Sequence, residues 1–130
     1  MEQVLCYWPD QSAPALASLR RTALLLKLRL RVISPDQTGQ TLGYLSGRKG
    51  FEAQEGSAPA VPEPILILDS LPETRMDALL RALGKARLPR STLKAVVTAH
   101  NVNWTLFRLW QELNKEREAM ERGEEPVHGA

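Results

Sequence analysis

Val32-Ile33-Ser34-Pro35-Asp36 leading to Thr41-Leu42-Gly43-Tyr44-Leu45 lies without a gap over Val96-Val97-Thr98-Ala99-His100 leading to Thr105-Leu106-Phe107-Arg108-Leu109, 64 residues further along the chain. The same offset places Leu16 on Leu80 and Leu19 on Leu83, and a slip of one residue sets Val4-Leu5 on Ile67-Leu68 and Pro9 on Pro72. In each copy a short apolar run stops at a turn and a helical stripe follows. The spacing predicts a strand, helix, strand, helix unit used twice.

Working outward through the first copy, residues 4–8 form an apolar and aromatic run closed by Pro9-Asp10, the pattern of a strand. Ser12 is placed to cap the next helix, with Pro14 in its first turn, where a missing N–H costs little. Leu16, Leu19 and Ala23 recur at spacings of three and four, while Arg20 and Arg21 fall off that stripe. Residues 30–34 read as the second strand, ended by Pro35-Asp36, and a short helix over about 38–46 turns Leu42 and Leu45 inward. Gly39, Gly43 and Gly47 follow at intervals of four, suited to a flexible start, a close backbone contact and a C-terminal stop.

Residues 48–64 are rich in Gly, Ala, Pro, Ser and Glu and have no period, which predicts a mobile linker anchored by Phe51 alone. In the second copy, Pro64-Ile65-Leu66-Ile67-Leu68-Asp69 is a continuous apolar run, the type of strand that sits in mid-sheet covered on both faces. Ser70 and Glu73 have capping-box spacing, and Met76, Leu79, Leu80 and Leu83 make the helical stripe behind them. Residues 93–99 form the fourth strand. Leu106, Leu109, Trp110 and Leu113 share the inner face of a long last helix, with Phe107 beside them. Past Lys115 the stripe gives way to carboxylates that oppose the helix dipole, so that end is expected to fray.

The expected organisation is one domain over 1–118, made of repeat one (3–47), the linker (48–64) and repeat two (65–114), with a disordered acidic tail at 119–130. The fold class is α+β or α/β: a duplicated βαβα unit forming a four-stranded sheet with helices packed on it. Two arrangements suit the linker. A ferredoxin-like sheet, in which the halves interleave, is preferred over a parallel or mixed three-layer sheet, in which they lie side by side.

Hydrophobic residues at 43% and charged residues at 25% exclude a disordered or fibrous chain. Cys6 is the only cysteine, so no internal disulfide can form. The start carries no basic leader or signal-length apolar run, and the longest apolar segment, around 23–30, is broken by Lys27 and Arg29, short of the roughly 20 apolar residues that cross a bilayer. A cytoplasmic location with no membrane partner is expected. Residues 1–110 hold 14 basic and 9 acidic side chains, whereas 111–130 hold 3 and 6. A basic body with an acidic end suits an anionic partner or an ordinary solvated surface.

From Pro64 to Leu68, through Leu93-Lys94-Ala95-Val96-Val97-Thr98-Ala99-His100-Asn101-Val102-Asn103-Trp104 and on to Gln111-Glu112-Leu113, the chain resembles a small bacterial family, domain of unknown function family 3783. The resemblance covers the second half in sequence and the first half in strand and helix pattern. It implies no catalytic residues and no activity.

The candidate ligand-binding residues are His100, Asn101, Asn103 and Trp104, where a strand ends and a helix begins. Backbone N–H groups and the positive end of the helix dipole converge at such an edge, and the two amides suit a carboxylate, a phosphate or a peptide. The competing account makes Asn101 and Asn103 caps or turn formers and Trp104 a packed staple. Cys6 would need His100 as its base to act as a nucleophile, and is otherwise a buried strand cysteine. One cysteine and two histidines, with His128 in the tail, do not make a metal site. Asp36, Asp69 and Asp77 show no acid–base pairing, and residues 46–50 do not fit a phosphate-loop spacing. Arg20, Arg21, Lys27, Arg81, Lys85 and Arg87 fall on the outer faces of equivalent helices, as solvated surface or as a nucleic-acid contact. The expected function is a non-enzymatic binding or regulatory module without cofactor, contacting a protein, a second copy or a small anion at 100–104. A nucleic-acid-binding module is the alternative, and an enzyme the third possibility.

Overall fold

The computed structural model describes residues 2–85, 88 and 92–123. The elements run β1 (Gln3–Tyr7), α1 (Pro14–Leu25), β2 (Arg29–Ile33), a 3-10 turn at Pro35–Gln37, α2 (Leu42–Leu45), β3 (Ile65–Asp69), α3 (Glu73–Lys85), β4 (Leu93–Val96) and α4 (Leu106–Glu121). The strands form one mixed sheet in the order β2-β1-β3-β4. β1 pairs parallel with β2 and antiparallel with β3, and β3 pairs parallel with β4.

The halves therefore lie side by side, and the interleaved ferredoxin-like order does not occur. The apolar pattern of the two central strands explains why. All five residues of β1 and all five of β3 are buried. A sheet with helices on one face only would leave half of these side chains in water, so helices are needed on both faces. Val4, Cys6, Leu66 and Leu68 pack with Leu16, Leu19, Leu79 and Leu83 of α1 and α3. On the other face Leu5, Tyr7, Ile65 and Ile67 pack with Leu42 and Leu45 of α2 and Leu106, Leu109 and Leu113 of α4. At about 1.5–3 kcal/mol for each fully buried large side chain, these two interiors dominate the stability.

Over that second face the N-termini of α2 and α4 meet. The N–H of Leu42 donates to the carbonyl of Trp104 at 2.9 Å, and the N–H of Leu106 donates to that of Gln40 at 3.0 Å. Gly43 donates to Val102 at 2.9 Å and Phe107 to Thr38 at 3.0 Å, so the exchange is reciprocal at the 64-residue offset. Thr41 and Thr105 bridge here and cap the two helices, their hydroxyls accepting from the N–H groups of Tyr44 and Arg108, each at 3.1 Å. The cap of the last helix is thus Thr105, neither Asn101 nor Asn103.

α2 is a single turn, shorter than the helix expected over 38–46, because residues 38–41 are drawn across to this bridge. The segment after it is anchored at several points besides Phe51. The Gln40 side chain pairs with the Gln54 backbone, donating to its carbonyl at 2.9 Å and accepting from its N–H at 2.8 Å, and Val61 is buried with its carbonyl accepting from the Tyr7 hydroxyl at 2.7 Å. Glu63 accepts from Arg117 at 2.7 and 2.8 Å and from the Trp110 indole at 3.2 Å. This clamp, with Ala119 buried, accompanies an α4 that stays helical to Glu121, past the point where fraying was expected. The Ser70–Glu73 capping box does not form. Ser70 sits at φ 60° with its hydroxyl on Asp69, and a capping box forms instead at Ser34 and Gln37. Leu80, assigned to the inner stripe of α3, is 41% exposed. Arg87, His128 and the tail from Glu124 onward lie outside the described residues.

Candidate functional site

Where one-turn α2 ends, the sheet face beside it is left to polar groups. Gly47, at φ 82°, stops the helix in a conformation that glycine adopts freely. The chain then turns down toward the sheet, bringing Arg48 onto Asp69, the last residue of β3. Arg48 donates to the two carboxylate oxygens at 2.8 and 3.2 Å, Gln3 donates at 2.7 Å and the Ser70 hydroxyl at 3.0 Å. Asp69 is only 2% exposed. Burial pushes its carboxyl up, but the hydrogen bonds from Arg48, Gln3 and Ser70 outweigh that and hold it below the ordinary carboxylate value. Gln3, fully buried opposite Asp69 in the β1–β3 register, also donates to the carbonyl of Ser46 at 2.8 Å, and its own Oε1 has no partner among the described residues.

Next to this network lies a cavity of about 380 Å³ lined by Arg31, Ile33, Gln37, Tyr44, Arg48 and Phe51, with Val32, Leu45 and Gly47 completing the wall. Arg31 projects from edge strand β2 and donates one N–H to the carbonyl of Leu45 at 3.1 Å. No carboxylate among the described residues pairs with it, so its charge faces the groove uncompensated, whereas that of Arg48 is matched by Asp69. The Gln37 side-chain oxygen accepts from the Ser34 N–H at 3.0 Å, which fixes the amide at the rim. Phe51 forms an apolar wall because Gly43 lets its ring lie directly on the α2 backbone. The groove offers one fixed cation, amide and phenol groups, and an apolar surface.

The second half answers this arrangement differently. Asn101 is 1% exposed and wholly engaged with its own turn. Its Oδ1 accepts from the Thr98 N–H at 2.8 Å and its Nδ2 donates to the carbonyl of Val96 at 2.9 Å. Trp104 is buried, with the Arg108 guanidinium 4.7 Å above its ring and His100 edge-on at 5.2 Å. Asn103 is exposed and borders a shallow polar hollow with Thr41, Phe51 and Gln54. His100, Trp104 and Arg108 are thus brought together, and Asn101 is turned away from them into the backbone. Cys6 lies in the α1–α3 interior, on the sheet face opposite to Trp104, and burial pushes its thiol up to about 12. Among the described residues no group of three His, Cys, Asp or Glu could hold a metal ion, and no helix is long and apolar enough to cross a membrane.

Residues 64–120 match the model of a family described as Domain of unknown function (DUF3783). No curated protein and no solved structure matches the chain. The DUF3783 match opens at β3 and reaches into the end of α4, so it holds the Asn101 turn and the Trp104 cluster but none of the residues that line the groove.

Sequence reasoning passed over the groove because its members are scattered. In sequence Arg31 is a charge between apolar neighbours, and Asp69 a carboxylate without an acid–base partner. The partner of Asp69, Arg48, sits 21 residues away in a segment without a period. The available signal is a cation flanked by Leu30 and Val32 in a strand.

Proposed function

We propose that this chain is a non-enzymatic cytoplasmic binding module for a small anion carrying an apolar part, and that its site is the groove beside α2. The observation that carries this is the Arg31 guanidinium, with which no carboxylate among the described residues pairs, set against the Phe51 wall in a cavity of about 380 Å³. A guanidinium presents a fork of donors matched to carboxylate or phosphate oxygens, and the adjacent Arg48–Asp69 pair keeps the floor of the groove rigid without adding net charge. Binding is favoured over catalysis because the lining has no histidine, cysteine or carboxylate to move a proton or attack a bond. The reciprocal hydrogen bonds at the 64-residue offset support a further part of the proposal, that the chain is a doubled βαβα motif in which one half has kept a covered helix face and the other has opened one.

The test uses phenyl phosphate and inorganic phosphate, titrated against the full chain and followed by amide chemical shifts. Saturable shifts at Arg31, Gln37 and Phe51 are expected, with phenyl phosphate binding more tightly. A charge-assisted contact is worth about 1.5–3 kcal/mol, so Arg31→Gln should weaken binding by roughly 10- to 150-fold and leave the melting temperature nearly unchanged. Unsaturable shifts, or equal affinity in Arg31→Gln, would remove the groove as the site. The His100–Trp104 edge, where His100 and Asn103 are exposed, is the second location for such a contact. Shifts centred there and insensitive to Arg31 would move the site to it.

A further inference from the structure

α1 carries an exposed patch unrelated to the groove. Its inner stripe, Leu16, Leu19 and Ala23, is buried, yet Leu24 and Leu25 at its C-terminal end are 78% and 82% exposed. Arg20 and Leu24 stand four residues apart, as do Arg21 and Leu25, so each leucine has a cation one turn behind it on the helix surface. Lys27 follows two residues after Leu25, at φ 56°. The helix contains no acidic residue, and no carboxylate among the described residues forms an ion pair with Arg20, Arg21 or Lys27. The turn that presents the leucines is also held in place: Arg75 of α3 donates to the carbonyls of Leu26 and Lys27 at 2.8 and 3.0 Å.

We infer that Leu24 and Leu25, framed by Arg20, Arg21 and Lys27, form a docking surface for an acidic amphipathic helix of a protein partner. Two neighbouring leucines exposed this far have no role in the described interior, and three cations around them, without an ion-pair partner among the described residues, select carboxylates one helical turn from the partner's own apolar residues. A second copy is disfavoured because the same patch would bring like charges together. A nucleic acid would use the cations and leave the leucines in water. The patch spans about one helical turn before the chain folds back into β2, which suits a helix better than the broad footprint of a bilayer.

The probe is a fluorescent synthetic helix built from Leu-Glu-Glu-Leu-Leu repeats, with its Leu→Ser analogue as control, and anisotropy is read with the full chain. Saturable binding of the first peptide only is expected, at least tenfold weaker for Leu24→Ser/Leu25→Ser and for Arg20→Gln/Arg21→Gln. All four side chains are exposed, so both variants should melt with the parent. Binding indifferent to the leucines, or no saturable binding, overturns the inference. So does capture of vesicles containing phosphatidylserine, of polyuridylate RNA, or of a second copy in sedimentation, if that capture is lost in the leucine variant while peptide binding is absent. None of these side chains lines the groove, so failure here leaves the anion site standing.

Discussion

Asn101→Ala separates the two roles open to the second half's strand-to-helix edge. The carboxamide holds the Thr98 N–H at 2.8 Å and the Val96 carbonyl at 2.9 Å, and the residue is 1% exposed. Alanine keeps the third bond of the turn, from the Asn101 backbone N–H to the Thr98 hydroxyl at 3.1 Å, but strips both side-chain partners. A buried group left without its partner costs about 1–3 kcal/mol. Thr98 is exposed and can recover water, whereas Val96 is half-buried at the end of β4, so the sum should be about 2–3 kcal/mol. With a urea slope of roughly 2 kcal/mol/M for a domain of this size, the unfolding midpoint should fall by about 1–1.5 M at unchanged slope. Asn103→Ala, at an exposed position, should stay within about 0.5 kcal/mol. An Asn101→Ala midpoint equal to the parent's, with loss of ligand binding, would refute the structural role and return the residue to the binding account.

Gly43→Ala would drive a methyl into the Phe51 ring and should cost about 1–3 kcal/mol, most of it recovered in the Gly43→Ala/Phe51→Ala double variant; strictly additive losses in thermal melts would show that the ring has room to move. Cys6, with its thiol at about 12, should resist a thiol-reactive dye in the native state and label on unfolding, so rapid native labelling would contradict its burial. Hydrogen bonds from Arg117 hold Glu63 low, and those from Arg48, Gln3 and Ser70 overcome burial to do the same for Asp69. Because both folded values lie below the unfolded ones, near 4, this stability is complete above about pH 5 and is lost as the pH falls through the depressed values. Urea midpoints measured from pH 7 to 3 should drop at the acid end and drop less in Glu63→Gln; a flat profile would rule the linkage out.

The repeat made the fold class legible, since apolar runs and helical stripes record which faces are buried. Strand order was harder to see, because interleaved and side-by-side halves use the same elements. The clue was present in Ile65-Leu66-Ile67-Leu68, whose lack of alternation already requires cover on both faces. Cap positions were misplaced because Asn101 and Thr105 are both good cap residues, and only the reciprocal bridge between Thr41 and Thr105 decides between them. Leu80 and the exposed Leu24 and Leu25 show the same limit: periodicity assigns a face, but the neighbouring helix determines how far around that face the cover extends.

The difference between the halves also decides where the cavity lies. At the 64-residue offset Arg31 corresponds to Ala95, Gln37 to Asn101 and Arg48 to Glu112. In the second half α4 runs for 16 residues over the positions that one-turn α2 leaves open. The groove lies where α2 is four residues long and α4 is sixteen, and it falls outside the stretch that matches DUF3783. That stretch cannot stand as it is without the first half. β3 is buried at all five residues, and its antiparallel partner from Gln3 to Tyr7 supplies one edge of that burial. Left as an edge, β3 would present unpaired backbone flanked by apolar side chains on both faces, the condition under which strands recruit another chain. The first half therefore closes the sheet for the second, and with its short α2 it does so while leaving a cavity of about 380 Å³ open beside the sheet.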